Sequence, residues 1–339
     1  MKARFIVILL FCSGLFQYNF AQDIHFSNFY TNTLNLNPAN AGFFTGSYRF
    51  CIAYRDQYRT VAEPYQTLSA NFDAKISNRH MQTALGYGLL FNYDMAGDAD
   101  YASVQFGIPL AQHIPINGNS LIFSYGLLPA IHYCSLDYSS LTFLEQFEGD
   151  RFNPQSEISE DIDMNSRLYF DFSLGTQFLF KPNKQQSYTV GFAFYNLNRP
   201  NVSFYKEDGV KLKTRTVICG TANISITQNI DIVPGIKMQF QGKQHEFHLG
   251  GMGIFYLDNP FFSQIQTGLW FRSKNKDAII FGLGTRYKEF DIMLDYDLNI
   301  STLRTASNGH GAFELTISYI FDKANRSKRM TAVRCPHSL

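Results

Sequence analysis

Charge is scarce in this chain. Asp, Glu, Lys and Arg make up 17% of its 339 residues, against about 25% in an average soluble domain. The formal net charge is +1, which argues against nucleic acid as the main partner. Tryptophan occurs once. No run reaches 18 uninterrupted apolar residues, which argues against a helical membrane protein. The motifs of common chemistries are missing too. There is no Gly-x-Ser-x-Gly elbow, and neither His-Glu-x-x-His nor Cys-x-x-Cys occurs. His245 and His248 are three apart in a predicted strand, so they face opposite ways and make a poor metal pair. Gly282-Leu283-Gly284 is a lone glycine pair that suits close packing or curvature better than phosphate binding. Neither a cofactor nor an enzymatic activity is expected.

What the chain has is aromatic side chains and a two-residue period. Phe, Tyr and Trp make up 16%, with 33 Phe and 20 Tyr. In Phe313–Phe321 apolar or aromatic residues fill the odd positions, and Glu314, Thr316 and Ser318 fill even ones. Successive side chains of a strand point to opposite faces, so one face is greasy and the other wet. Tyr48, Phe50, Ile52 and Tyr54 likewise oppose Arg49, Cys51, Ala53 and Arg55. Leu68, Ala70 and Phe72 oppose Ser69, Asn71 and Asp73. Ile292, Leu294, Tyr296 and Leu298 oppose Asp291, Met293, Asp295 and Asp297. About fourteen strands are predicted: 46–55, 65–75, 83–94, 100–110, 120–135, 166–180, 186–196, 212–226, 230–240, 244–256, 262–272, 277–287, 290–298 and 311–322. This is an all-β pattern. With an export signal in front, it predicts a transmembrane antiparallel β-barrel of the bacterial outer membrane.

The export signal is the N-terminus. Lys2 and Arg4 precede an apolar stretch from Phe5 to Phe16, and Ala21 suits the last residue before cleavage. Cys12 resembles a lipoprotein cysteine, but Phe11 stands where a small residue is expected. The expected organisation is a signal peptide over 1–21, a periplasmic N-terminal segment over 22–44, the barrel over 45–322 and a basic periplasmic tail over 323–339. Residues 22–44 contain Asn37-Pro38 and little alternation, so they either fold into the barrel or lie along its periplasmic mouth. Four cysteines remain after cleavage: Cys51, Cys134, Cys219 and Cys335. None has metal-ligand spacing, and most are read as free thiols.

Connection lengths give a second test. Outer-membrane barrels alternate short periplasmic turns with longer outer loops. Residues 56–64, 136–165, 197–211 and 299–310 are long, whereas 181–185, 227–229, 257–261 and 288–289 are short. Both termini then lie in the periplasm. The turn 111–119 is longer than this scheme expects, and 241–243 and 273–276 are shorter. The longest loop, 136–165, carries seven acids between Glu145 and Asp163 without the spacing of an EF-hand loop. A solvated loop is the plainer reading, a partner or calcium surface the sharper one.

Several blocks of the sequence carry a family resemblance. Gln22-Asp23-Ile24-His25-Phe26-Ser27-Asn28-Phe29-Tyr30 and Leu36-Asn37-Pro38-Ala39-Asn40-Ala41-Gly42 closely resemble the start of the PorP/SprF family. These are outer-membrane proteins of the type IX secretion system in Bacteroidetes. Tyr54-Arg55-Asp56-Gln57-Tyr58 is similar to the family's Tyr-Arg-Asn-Gln-Trp, departing at Asp56 and Tyr58. Asp295-Tyr296-Asp297-Leu298-Asn299-Ile300-Ser301 and Gly311-Ala312-Phe313-Glu314 resemble its last two strands. Val333-Arg334-Cys335-Pro336 resembles its terminal Arg-Cys-Pro, although this chain continues through His337-Ser338-Leu339. Asp23, His25, Phe26, Tyr30, Asn37, Pro38, Cys335 and Pro336 are the motif positions. The resemblance implies a fourteen-stranded barrel working in protein secretion and surface attachment. The implied partners are a surface adhesin or other secreted protein, and the motor ring and lipoproteins of the system.

The residues themselves offer lumen candidates. A charged side chain facing lipid near mid-membrane costs about 2–4 kcal/mol, so Arg49, Arg55, Asp73, Asp295 and Asp297 must face the lumen or a rim. There they could bind a plug or a partner's segment, or pair with one another and only stabilise the barrel. Asp291, Asp295 and Asp297 could hold a cation, though they suit a wet lumen wall better. Three functions compete: an anchor and export partner, a small-molecule transporter or porin-like channel, and a purely structural barrel.

Overall fold

The computed structural model describes residues 26–321 apart from 61–62, 79–82, 98–99, 118–119, 138–140, 142–145, 149–150, 154–164, 205–209, 274–276 and 302–303. The signal peptide, Asp23, His25, the basic tail, Cys335 and Pro336 lie outside the described residues, as does most of the acidic loop. Fourteen antiparallel strands close into a barrel. They are β1 (Tyr48–Gln57), β2 (Tyr65–Asn78), β3 (Thr83–Ala96), β4 (Tyr101–Gly107 and Leu110–Ile116) and β5 (Leu121–Ser135). Next come β6 (Ser166–Phe180), β7 (Gln186–Tyr195), β8 (Arg215–Thr227), β9 (Ile230–Gln241) and β10 (Gln244–Tyr256). β11 (Phe262–Ser273), β12 (Ala278–Tyr287), β13 (Phe290–Asn299) and β14 (His310–Phe321) complete the wall. β1 pairs with β14, Tyr48 opposite Phe321, so both ends of the wall share one rim.

Alternation decides which face is which. Leu168, Leu283, Ile52 and Phe281 are among the many large apolar side chains exposed on the outside. Arg49, Arg55, Asp73, Lys237, Glu246, Arg272, Asp295, Asp297 and Glu314 are buried inside. Within the strands only Asp56, at the rim end of β1, puts a charge on the outer parity. This inversion of the soluble pattern is what a bilayer requires, because a lipid-facing charge is expensive and apolar surface is not. Closure leaves no strand edge unpaired, the second requirement of a membrane-spanning sheet. No helix among the described residues is long and apolar enough to cross a membrane.

β4 corrects the sequence reading. The strand was expected to end at 110 and to be followed by a long turn over 111–119. Instead it runs on to Ile116, and β5 begins at Leu121. Its register against β3 is the same on both sides of the interruption, Leu90 opposite Gly107 and Tyr87 opposite Leu110. Pro109 and, across the ladder, Pro129 lack an N–H. The remaining bonds persist: Ile108 N donates to Pro129 O at 3.0 Å and Gly88 N to Pro109 O at 2.9 Å. A proline costs this sheet one donor without ending the strand. The exception among the short turns thereby disappears.

Of the two placements open to residues 22–44, Phe26–Phe44 takes the interior one and plugs the lumen, with Ser27, Tyr30, Asn37, Ala39 and Ala41 all at 2% exposure or less. It holds one helical turn, Thr33–Leu36, and one 3-10 turn, Pro38–Asn40. The chain then leaves at the short-turn rim through Gly46 into β1. Two apolar clusters seat it. Phe29 and Tyr30 pack with Val233, Met252, Ile254, Trp270, Ile280 and Met293, and Leu34 and Ala41 with Leu90, Leu128, Ala193 and Val217.

Candidate functional site

The plugged lumen is where this chain concentrates its buried polar chemistry. The plug is held at two ends. At the first, Ser27 and Asn28 meet acids from β13 and β14. Glu314 accepts from both backbone amides, Ser27 N at 2.8 Å and Asn28 N at 3.2 Å. Ser27 Oγ donates to Asp297 Oδ1 at 2.8 Å, and Asn28 Nδ2 to Asp295 Oδ2 at 3.0 Å. Two arginines from other strands balance these acids. Arg55 bridges Asp297 at 2.8 Å and Glu314 at 3.1 Å. Arg272 bridges Asp297 and Asp277, each at 2.8 Å. Arg55 also donates to Ser27 Oγ. Buried charges cost several kcal/mol each unless paired and hydrogen-bonded; here groups from β1, β11, β13, β14 and the plug answer most of them, and Arg55 Nε and Asp295 Oδ1 stay without a hydrogen-bond partner. Close by, Lys237 pairs with Glu246 at 3.1 Å, and His248 contacts the same carboxylate at 2.7 Å.

The middle of the plug is tied by amides. Asn32 Oδ1 accepts from Asn71 Nδ2 at 2.7 Å. Asn35 donates to Ser69 Oγ at 2.8 Å and accepts from Asn92 at 2.8 Å. Asn37 inserts between β6 and β7, where its amide donates to the carbonyls of Thr176 at 3.0 Å and Phe192 at 3.3 Å. Its own oxygen caps the following turn by accepting from Ala39 N at 2.9 Å. The second end is Asn40–Gly42. Arg49 holds Asp73 through Nε at 2.9 Å and Nη2 at 2.8 Å, and also donates to Asn40 O at 3.3 Å. Asp73 accepts from Gly42 N at 2.7 Å. His113 Nε2 lies 2.8 Å from Ala41 O, so that nitrogen carries the proton, and Nδ1 accepts from Ser124 Oγ at 2.8 Å.

Wall glycines make the fit possible. A Cβ on Gly86 would collide with the Ala41 carbonyl, and one on Gly126 would lie 2.6 Å from Pro38 O. On Gly175 and Gly191 it would meet the Asn37 amide, and on Gly235 the Tyr30 hydroxyl. These five glycines stand on β3, β5, β6, β7 and β9. They form a track along which plug backbone and side chains touch bare wall. Gly42 itself needs its place, with φ +69 and a notional Cβ 2.7 Å from Gly86 Cα. Gly282, in the lone glycine pair, admits close packing of Trp270 and Met293.

All five charged candidates read from the sequence face the lumen, at 6% exposure or less. Arg55, Asp295 and Asp297 gather at the first end of the plug, Arg49 and Asp73 at the second. The chain's own segment engages both groups. Phe26, Tyr30, Asn37 and Pro38 are all in the plug. Asp291 pairs with Arg286 instead of joining Asp295 and Asp297. Among the described residues no group of three or more His, Cys, Asp or Glu is placed to hold a metal. Cys51, Cys134 and Cys219 are free and buried. Glu314, Arg272 and the glycine track were not singled out from the sequence. The inward parity of Glu314 and Arg272 was visible in their strands; the glycine track needed the path of the plug.

A family model described as type IX secretion system membrane protein PorP/SprF matches residues 18–319. The chain belongs to the PorP/SprF family. It is thus a membrane component of the type IX secretion system, with an outer-membrane barrel fold. No curated protein matches it significantly. Similar solved structures share the fold at low identity. The toluene transporter TbuX of Ralstonia pickettii is 10% identical, with TM-score 0.51 over 85% of this chain and 92% of that one. CymD, a monoaromatic hydrocarbon channel, is 10% identical, with TM-score 0.53 over 86% and 93%. The Pseudomonas putida toluene transporter TodX is 10% identical, with TM-score 0.51 over 88% and 94%. At that identity the likeness concerns the barrel architecture.

Proposed function

We propose that this PorP/SprF protein acts without catalysis, as a plugged outer-membrane barrel that supports secretion and cell-surface anchoring of a partner protein. The partner is a gliding-type adhesin with a C-terminal sorting domain, and the short-turn rim faces the periplasmic motor ring and its lipoproteins. The observation that carries this reading is the fixed plug. A lumen fastened to its own N-terminal segment at both ends leaves the rims and loops as the surfaces free for partners. In this orientation the short turns and both ends of the wall are periplasmic.

The test is affinity capture of the tagged full-length protein from outer membranes in mild detergent, with mass spectrometry of what accompanies it. A surface adhesin or motor-ring components are expected. Capture of the barrel alone, stable and folded, would sink the proposal.

The competing reading is a small-molecule transporter or porin-like channel. Its support is the shared architecture with toluene and hydrocarbon channels. It requires the plug to move aside, because Phe26–Phe44 fills the lumen. Planar-bilayer recording of the intact protein separates the two: stable open-channel current favours the channel, and a closed barrel favours the anchor.

A further inference from the structure

A chamber of about 100 Å³ lies between the plug and the wall at the short-turn end of the lumen. A packed interior keeps few voids larger than one water, so this space is more than packing slack. The plug bounds it twice, with Tyr30–Thr31 at its inner end and Phe44–Thr45 where the chain leaves for β1. Ser187 and Asp291 are the second residues of β7 and β13, and Ile320 is the last but one of β14, so the chamber reaches the rim. Its lining has two characters. On β7 and β8 it is hydroxylic: Ser187 and Thr189 share one face of their strand, and Thr221 stands directly opposite Thr189. Ser318 of β14 adds a further hydroxyl. Among the described residues no hydrogen bond engages any of these four hydroxyls, and each can turn to donate or to accept. On β9 and β10 the lining is apolar: Val233 pairs with Met252 across the ladder, and Ile254 continues the strip. The charges are closed in pairs, Arg286 with Asp291 and Arg49 with Asp73. Gln264 and Gln266 are occupied too, donating to Asp291 at 3.2 and 3.0 Å.

Resting on the reading that the barrel serves a partner protein, we propose that this chamber binds an uncharged, extended stretch of the partner's polypeptide, entering from the short-turn rim. The chamber continues the interface between plug and wall, and that wall already holds polypeptide. The Tyr195 hydroxyl donates to a plug carbonyl, Asn35 O, at 3.0 Å. Phe29 and Tyr30 pack on the same Val233, Met252 and Ile254 that line the chamber. In an extended chain the peptide groups that point one way recur about every 7 Å, and so do the same-face side chains of β7. Ser187 and Thr189 therefore match the repeat of such a segment, and the strip on β9 and β10 takes an apolar side chain from its other face. A hydrocarbon would strip water from four hydroxyls without replacing it. A charged ligand would meet no free counter-charge among the described lining residues. A long acyl chain would outrun an apolar strip of three side chains.

The test uses full-length protein in nanodiscs and saturation-transfer NMR with the blocked tripeptide acetyl-Ser-Leu-Ser-amide. Acetyl-Asp-Leu-Asp-amide, acetyl-Lys-Leu-Lys-amide and toluene serve as anionic, cationic and apolar counter-probes. Transfer to the neutral tripeptide is expected, and loss of one hydroxyl in Thr189→Val or in Thr221→Val should weaken its binding about fivefold. Valine has nearly the shape of threonine and suits a strand, so the wall keeps its fold, which heat-dependent gel mobility verifies. Ser187→Phe fills the mouth of the chamber and should abolish transfer. No transfer to the neutral tripeptide, transfer unchanged in the folded variants, equal transfer to a charged tripeptide, or displacement by toluene would overturn the proposal. Affinity capture of an adhesin or of motor-ring proteins by a barrel that fails to bind the tripeptide would strike this chamber alone and leave the partner reading standing.

Discussion

The two ends of the plug are ordered by different physics. Ser27–Asn28 is held by charge: three acids and two arginines from four strands converge on a few short hydrogen bonds. From the middle of the plug to its second end, Asn37–Gly42 is held mainly by shape: bare glycines let the plug lie against β3, β5, β6 and β7, and the Asn37 amide and one buried ion pair, Arg49–Asp73, finish the seat. A segment with so little regular structure could not stay folded on its own, because the entropy of ordering it exceeds what two short turns return. The lumen wall supplies the missing partners. The charged end depends on pairing, the shaped end on the absence of side chains, and mutations can separate the two.

The largest effect is expected at the shaped end. In Gly86→Leu the new side chain occupies the position of the Ala41 backbone. The wall strand can keep its ladder, so the plug must leave its seat. Folded barrels that conduct in planar bilayers, where the parent stays closed, are the expected outcome; a folded, closed variant would show that the seat is dispensable. At the charged end, Arg55→Leu removes the one cation that bridges Asp297 and Glu314. Breaking such a pair typically costs about 3–5 kcal/mol, because the acids stay buried. Denaturant unfolding should register a loss of that size. A loss under about 1 kcal/mol, the usual value of a surface pair, would mean that water reaches the network.

The same contrast explains what could be read from the sequence. The wall was legible because a bilayer imposes a strict rule: alternation set the strands, their parity and the inward direction of Arg49, Arg55, Asp73, Asp295 and Asp297. The reading faltered where the rule is silent. A strand over 100–110 and a turn over 111–119 are what the sequence suggests, yet the strand continues past Pro109 because its neighbours keep bonding around it. The plug has no period at all, so its path showed only as a short motif, Asn37-Pro38, without a place. Neither Glu314 as a ligand of Ser27 nor Gly175 as the seat of Asn37 can be found before the segment is put inside. These contacts join residues far apart in sequence, and no local pattern encodes them.

A smaller effect is expected from Asn37→Ala. It removes the donor to Thr176 and Phe192 and the cap on Ala39, while the glycine track still fits the backbone. A loss of about 1–3 kcal/mol follows from leaving buried partners unmatched. Denaturant unfolding that shows no change would mean that shape alone holds this end.

The finest test reads the two ends separately through two native thiols. Cys51 Sγ lies 3.8 Å from Thr31 O, just beyond the charged end, and Cys219 Sγ lies 3.7 Å from Gly191 O, beside Asn37's seat. Both are buried. With Cys134 and Cys335 changed to serine, a small methanethiosulfonate reagent should label the parent slowly at both positions. Arg55→Leu should speed labelling of Cys51 more than of Cys219, and Asn37→Ala should do the reverse. If either variant speeds both thiols equally, the plug leaves as one body, and its two modes of attachment are a single cooperative unit. If the rates separate, each end opens alone, and charge and shape contribute as independent fastenings of the same segment.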